Sequence, residues 1–441
     1  MPGVFEPGPR DVVPLPEAVR TWWAISLQSF GGPAGQIAVM QHHLVDRKRW
    51  LGQERFLHAL NYCMLLPGPE AQQLAIYTGW LLNGGRGGLI AGTLFVLPGF
   101  VAMLALSSAY VAAGANPLMT GLFAGLAPAV IAIVVQALWR IGARTLHGSW
   151  RIGIAVAAFM ALAVLGLHFP LVILCAGVVG WFVLRAGPDP SAESGALIGD
   201  NTMPQVRGSR SRTLGILATS AVLWLLPPLL VGLAMPQSAT AQMGWFFSGT
   251  ALITFGGAYA VLSYVAHQAV SVFGWIGQGE MIRGLALAET TPGPLIMVVQ
   301  FVAFVGAFRH PAGLNPWLAA VIAALLVVWV TFVPCFALVF LGAPYVERLR
   351  HHRPLSGALQ AITAAVVGVI ADLAVMFAVH TLFARTRPGP IATDLPVWSS
   401  IDPFAVGLTG VAVVLLFWAR WSPLRTMAVC ALVGVCGVWL G

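Results

Sequence analysis

The chain of 441 residues is 58% hydrophobic and 9% charged, and apolar stretches of about twenty residues or more recur almost from end to end. That is the composition of a polytopic membrane protein. The formal net charge of +8 is almost entirely arginine, with Lys48 the sole lysine. These bases sit in short patches between apolar segments, as topology-setting loops require, so the lipid bilayer is an expected partner and nucleic acid is not.

Residues 1–20 are proline-rich and lack an apolar run before Arg20, so they read as a cytoplasmic N-terminal segment and not as a secretory signal. At about 20 residues per crossing, apolar segments follow near 21–45, 56–82, 86–113, 118–140, 151–167 and 169–185, a first transmembrane repeat spanning 21–185. Residues 186–213, rich in Pro, Ser, Gly and Arg, read as a flexible polar linker. A second repeat, 214–441, carries segments near 214–235, 243–268, 281–306, 317–343, 356–383, 404–420 and 424–440. Cys63, Cys175, Cys335, Cys430 and Cys436 lie in or beside apolar segments without metal-type spacing, so no metal, disulfide or cofactor is expected. Tryptophans near segment ends, among them Trp22, Trp245 and Trp398, read as interfacial anchors.

A shift of 225 residues places Phe30, Gly31 and Gly32 on Phe255, Gly256 and Gly257, and Pro67, Gly68 and Pro69 on Pro292, Gly293 and Pro294. It also pairs His42 with His267, Trp50 with Trp275 and Gly52 with Gly277, the mark of an internal duplication. Pairing "VLPGF" with "FVPCF" requires an insertion around "RHPAGLNPWLA". Equivalent starting points lie seven segments apart, an odd number, so the halves should be inverted in the membrane as in many secondary transporters. Arginine placement agrees: Arg47, Lys48, Arg49 and Arg55 follow the first FGG segment, whereas "VSVFGWIGQG" carries no base. The expected fold class is therefore an all-α polytopic membrane protein of two homologous halves, an inverted repeat with discontinuous helices. With a cytoplasmic N-terminus, the other arginine patches fall inside by parity and only Arg47 to Arg55 conflicts. The conflict disappears if 21–45, 56–82, 243–268 and 281–306 are re-entrant hairpins; the alternative is a translocated basic loop.

Two prolines flanking a glycine open a helix, because proline removes a donor and clashes with the preceding turn. Irregular backbone at membrane depth is tolerated only when buried or lining a cavity, and a half-helix N-terminus is a ready anion site. "LPGPEAQ" and "TPGP" are read as such breaks, with "SFGGPAG" and "TFGGAYA" supplying a second break in each half. Intramembrane carboxylates cost roughly 2.5 to 3.5 kcal/mol on insertion scales. Glu70, Glu289 and Asp372 are therefore proton-coupling candidates, and an acid beside an anion suits a cycle in which it is neutral with substrate bound. His42 and His267 are candidates as titratable groups. The hydroxyls of Ser29, Thr254, Thr290 and Thr291, and the amides of Gln72 and Gln73, are candidate donors to oxyanion oxygens. No G-x-x-x-x-G-K-S/T and no H-E-x-x-H occurs, and no reactive Cys, Ser-Lys or His-Asp arrangement is found, so the chain does not read as an enzyme.

"SFGGPAGQIAVM", "LPGPEAQQLAIYTGWLLNGGRGGLIAG", "FVLPGF", "GLAPAVIAIVVQALWRIG", "TFGGAYAVLSYV" and "TPGPLIMVVQFVAFVG" together resemble the chromate ion transporter family in its long, two-domain form. The resemblance covers roughly Thr21 to Gly441. It implies a bacterial-type inner-membrane protein that expels chromate from the cytoplasm without ATP, at the expense of the electrochemical gradient. Carried over by position, its motif residues are Phe30, Gly31, Gly32, Pro33, Pro67, Gly68, Pro69, Glu70 and Gln72, then Phe255, Gly256, Gly257, Pro292, Gly293 and Pro294. Ala258 replaces Pro33 in the second half, a milder break. The leading reading is a secondary active exporter of chromate with protons as coupling ion and sulfate as competitor. The alternative is a carrier of sulfate or another tetrahedral oxyanion, and an oligomer is compatible with either.

Overall fold

The computed structural model describes residues 12–30, 32–64, 66–114, 116–183, 210–254, 258–342, 353–387 and 394–440. Gly31, Phe255, Gly256, Gly257, most of the 1–20 segment and most of the linker lie outside the described residues. Helix α1 (Leu15–Gln28) starts with Pro16 in its first turn, where a missing N–H costs nothing, and so begins before the expected position 21. It stops at Ser29, ahead of the glycines. After α2 (Gly32–Gln41), a π-helical turn (His42–Arg47) leads to α3 (Gln53–Cys63). Helix α4 (Glu70–Ala113) has 44 residues, about 66 Å if straight and far beyond a bilayer. It is not straight. Asn83 (φ −138°, ψ 27°) and Gly84 (φ 61°, ψ −156°) reverse the chain. A methyl at Gly79 would lie 2.6 Å from Gly87 O and from Ala91 Cβ, so arms α4a (70–82) and α4b (85–113) run back against each other on glycine.

Next come α5 (Pro117–Thr145), α6 (Ser149–Ala163), α7 (Phe169–Val183) and α8 (Arg210–Ala234), the last beginning inside the expected linker. The second half continues with α9 (Ala239–Ile253), α10 (Ala258–His267) with a π turn (Gln268–Val272), and α11 (Gln278–Thr290). Then follow a 3-10 turn (Leu295–Met297), α12 (Val298–Arg309), α13 (Pro316–Gly342) and α14 (Arg353–Leu382). A short ribbon of β1 (Thr386–Arg387) and antiparallel β2 (Leu395–Pro396) precedes α15 (Pro403–Phe417) and α16 (Pro423–Leu440).

The duplication is visible in backbone detail. Lys48 N donates to His43 O at 3.0 Å and Phe273 N to Gln268 O at 2.8 Å; Trp50 N to Leu44 O and Trp275 N to Ala269 O are both 2.8 Å. Arg49 (φ 52°) matches Gly274 (φ 63°), and Gly68 (φ 127°) matches Gly293 (φ 96°). Each of these pairs is related by the 225-residue shift.

The broken segments double back. Lys48 Nζ reaches Glu17 Oε1 at 2.8 Å, although the two residues are 31 apart, about 46 Å along a straight helix. Val12 N donates to Leu82 O at 2.9 Å and Asn83 Nδ2 to Val13 O at 2.6 Å. The start of α1, the loop after the π turn and the end of α4a therefore share one end of the molecule, leaving the FGG and PGP breaks at the tips of two hairpins. In the second half, a methyl at Gly306 would meet Met243 Cε at 2.5 Å and Trp275 Cβ at 3.0 Å, so the equivalent three points converge likewise.

Helix α4b connects the two hairpin bases. It leaves the first base at Gly84, passes the second PGP loop at Gly99, where an added methyl would lie 2.4 Å from Pro292 O, and ends beside the second base. There Tyr110 OH donates to Glu280 Oε1 at 3.1 Å and Arg283 Nη1 to Tyr110 OH at 3.1 Å. Arg309 holds the same carboxylate through two bonds of 2.5 and 2.6 Å. About 38 Å of helix separates residues 85 and 110, so the bases lie at opposite ends and the hairpins point at each other. Helix α13 mirrors this path: Cys335 Sγ would meet a methyl at Gly68 at 2.9 Å. Thus Cys335 and Val339 belong to the core of the first half, with Phe56, Tyr62 and Leu74. Trp22, 1% exposed, belongs to that core too and is no interfacial anchor, whereas Trp398 is 76% exposed. On α8, Leu214, Leu230 and Leu233 are exposed, an apolar face suited to lipid.

Candidate functional site

The four tips meet, and each PGP loop bonds to the opposite half. Gly68 N donates to Thr254 O at 2.7 Å, and Gly293 N donates to Ser29 O at 2.9 Å. These contacts are equivalent under the repeat. Only glycine adopts the positive φ that turns each N–H toward its partner here. Gln36 Nε2 adds a 2.6 Å bond to Gly293 O, and Gln73 Nε2 closes its own loop on Pro67 O at 2.6 Å. A methyl at Gly32 would come within 3.7 Å of Tyr259 OH, so the two FGG breaks also adjoin. Pro67, Pro69, Pro292 and Pro294 flank the glycines and leave the ends of the half-helices without intrahelical partners.

Several sequence expectations are placed differently. The glycine N–H groups of both PGP loops are engaged in holding the tips together. The hydroxyls of Ser29 and Thr254 each donate at 2.7 Å to the carbonyl four residues back, Ile25 O and Thr250 O. Thr290 and Thr291 donate to Leu287 O at 2.8 Å and Ala288 O at 3.0 Å. A hydroxyl at a helix end satisfies its own backbone first, because that carbonyl is within reach without chain rearrangement. His42, with a side chain 66% exposed and 3.6 Å from Asp46, and the exposed His267 lie at the hairpin bases, away from the tips. Asp372 lies on α14, where it accepts from Ser263 Oγ at 3.1 Å. Phe30 is half-buried at the first break.

What remains at the first PGP tip is the N-terminus of α4, with Glu70 in its first turn and Gln72 two residues on. Gln73 N already bonds Pro69 O at 3.0 Å, so the N–H groups of the preceding residues and the positive end of the half-helix dipole form the donor set. Gln72 is 0% exposed, and neither its Nε2 nor its Oε1 has a hydrogen-bond partner. A buried unpaired amide costs about 1–3 kcal/mol and persists where a ligand completes it. Opposite, Glu289 is 2% exposed and accepts from Tyr259 OH at 2.5 Å, while its Oε2 has no partner. Tyr259 and Gln36 were not among the expected site residues. Their signal was a difference between the halves: the shift pairs Tyr259 with Ala34 and Gln36 with Val261. Among the described residues, no group of histidines, cysteines and acids could hold a metal ion.

The sequence profile described as "Chromate transporter" matches residues 16–181 and 241–435, one match per half and with α8 between them. The chain is 31% identical over 360 residues to a "Chromate transport protein" of Pseudomonas aeruginosa, covering 80% of this chain and 79% of that protein. It is 28% identical over 371 residues to a protein of the same description in Cupriavidus metallidurans (83% and 84% covered). It is also 25% identical over 419 residues to a "Probable chromate transport protein" of Synechococcus elongatus (92% and 96% covered). No solved structure matches the chain.

Proposed function

The chain belongs to the chromate transporter family, and from that premise we propose that it exports chromate from the cytoplasm across the inner membrane by secondary active transport. The dianion binds at the tip-to-tip junction, against the N-terminus of α4 and the Gln72 amide. The unpartnered, fully buried Gln72 beside a half-helix N-terminus carries this reading. With the N-terminus cytoplasmic, the two halves form an inverted repeat whose hairpins enter from opposite faces, and the shared site is exposed alternately to each.

A dianion leaving a cell with a negative interior gains about 4.6 kcal/mol per 100 mV, twice the value for one charge, so the membrane potential drives export. A second negative charge in so buried a site repels the dianion, so Glu70 and Glu289 favour their neutral forms while it is bound; proton binding is thereby linked to substrate binding, and the potential drives export as long as fewer than two protons leave with each dianion. Backbone and amide donors recognise any tetrahedral oxyanion, so sulfate competes.

The test is chromate flux by purified protein in proteoliposomes under an imposed potential and pH gradient, with sulfate as competitor. Wild-type flux should rise with the potential, and Gln72→Ala, Glu70→Gln and Glu289→Gln should each lower it roughly tenfold or more. Movement of sulfate without chromate would overturn the substrate assignment, and movement of neither would overturn the transport reading.

A further inference from the structure

Hydroxyls and acids inside a membrane protein are costly, so those the anion site does not use require an explanation. On α10, Tyr259, Ser263 and His267 are spaced four residues apart and share one face. Each of the first two meets an acid from another helix: Tyr259 OH bonds Glu289 Oε1 of α11 at 2.5 Å, and Ser263 Oγ bonds Asp372 Oδ2 of α14 at 3.1 Å. His267 closes the stripe at the exposed base of the hairpin. The first half builds the same hairpin, with His42 in the place of His267, but without the hydroxyls and acids between. The 225-residue shift puts Ala34, Ala38 and Met64 where the second half has Tyr259, Ser263 and Glu289. Past the insertion, Gln136 of α5 takes the place of Asp372. The architecture therefore does not require these hydroxyls and acids, and their confinement to one half of a duplicated fold points to function.

We propose that Asp372, Ser263, Tyr259 and Glu289 form a proton route along α10, joining the tip junction to the surface at His267. The proposal rests on the transport reading above. A proton taken up at His267 passes to the Asp372 carboxylate. Ser263 then accepts it on oxygen while releasing its own proton toward Tyr259. Tyr259 repeats the exchange, and Glu289 becomes a neutral acid. Each hydroxyl regains its original proton count, so one proton moves and no bond between heavy atoms changes. The turns from His267 to Ser263 and from Ser263 to Tyr259 each rise about 6 Å, and one bridging water spans each gap. The unpartnered Glu289 Oε2 supplies a free acceptor at the end of the route. Among the described residues, Arg140 of α5 also acts on Tyr259, and His168, just before α7, acts on His267.

Two readouts on one set of proteoliposomes test the route: chromate–chromate exchange, which needs no net proton movement, and the internal pH signal of a trapped dye during net chromate flux. Ser263→Ala and the isosteric Asp372→Asn should leave exchange unchanged and lower the proton signal per chromate roughly tenfold or more. An unchanged proton signal in both variants overturns the route. So does a loss of exchange parallel to the loss of proton signal, because that is a structural defect. A wild type that exchanges chromate without moving protons overturns the route alone; a wild type that exchanges no chromate overturns the transport reading and the route with it.

Discussion

Gly68 concentrates three demands in one residue. Its φ of 127° lies where side chains are strained, its N–H is the bond to Thr254, and its missing Cβ leaves room for the Gln73 amide and the Cys335 thiol. A methyl there would lie 2.7 Å from Gln73 Nε2, the atom that closes the loop on Pro67 O. Gly68→Ala should therefore cost on the order of 1–3 kcal/mol through backbone strain and overpacking together. The exposed Gly85, with nothing within 4 Å of an added methyl, is the control. Thermal unfolding in detergent should show a lowered midpoint for Gly68→Ala and an unchanged one for Gly85→Ala. Equal midpoints would mean that the loop tolerates another backbone path and that the tip-to-tip bond is incidental.

Among the helices, close approach is bought by glycine. A methyl on Gly125 of α5 would lie 2.0 Å from Cys430 O of α16, and one on Gly434 would lie 2.3 Å from Gly121 O, so these two helices touch backbone to backbone. Lipid tails give no hydrophobic drive for such an interface, which depends on van der Waals fit. Gly125→Val should part the pair at a cost of about 1–3 kcal/mol, read as a lower unfolding midpoint; a midpoint equal to wild type would remove α16 from the packed unit. The sequence carried much at this scale, because a strict shift of 225 residues exposed both the repeat and its four breaks, and periodic apolar runs marked the helices. It did not carry the Glu280–Arg309 clasp, whose partners are 29 residues apart and lie outside every motif. Nor did it show that Trp22 is buried, since a tryptophan near a segment end reads as an anchor until the helix beside it is placed. The expected hydroxyl donors are engaged for a local reason: a helix carbonyl four residues back accepts from Ser29 and from Thr254. Composition reports which groups can donate; only coordinates report which donors are already engaged.

At the scale of the whole molecule, the placement of charge bears on the proposed orientation. The hairpin base of the first half gathers Arg47, Lys48, Arg49, Arg55 and, just past the α4 reversal, Arg86. Helices α5 and α15 run toward the same end, bringing Arg140 and Arg420; Gln136 Nε2 bonds Leu416 O at 3.2 Å, which puts the last turn of α15 beside α5 one turn before Arg140. The opposite base carries Arg283 and Arg309, fewer bases than the first. Under the orientation proposed above, the positive-inside rule expects the first base in the cytoplasm and the second outside. Because the first FGG segment returns to the end from which it entered, as the Lys48 to Glu17 ion pair requires, the basic loop need not cross the membrane. An impermeant maleimide on intact cells decides the matter, in a background with the exposed Cys175 and Cys436 changed to Ser. Val272→Cys, at a site 57% exposed, should label in intact cells, whereas Lys48→Cys should label only after permeabilisation. Labelling of both in intact cells would put the two bases on one side and end the inverted-repeat reading. The opposite pattern would keep the inversion and reverse the molecule, and with it the side on which the α10 route meets solvent.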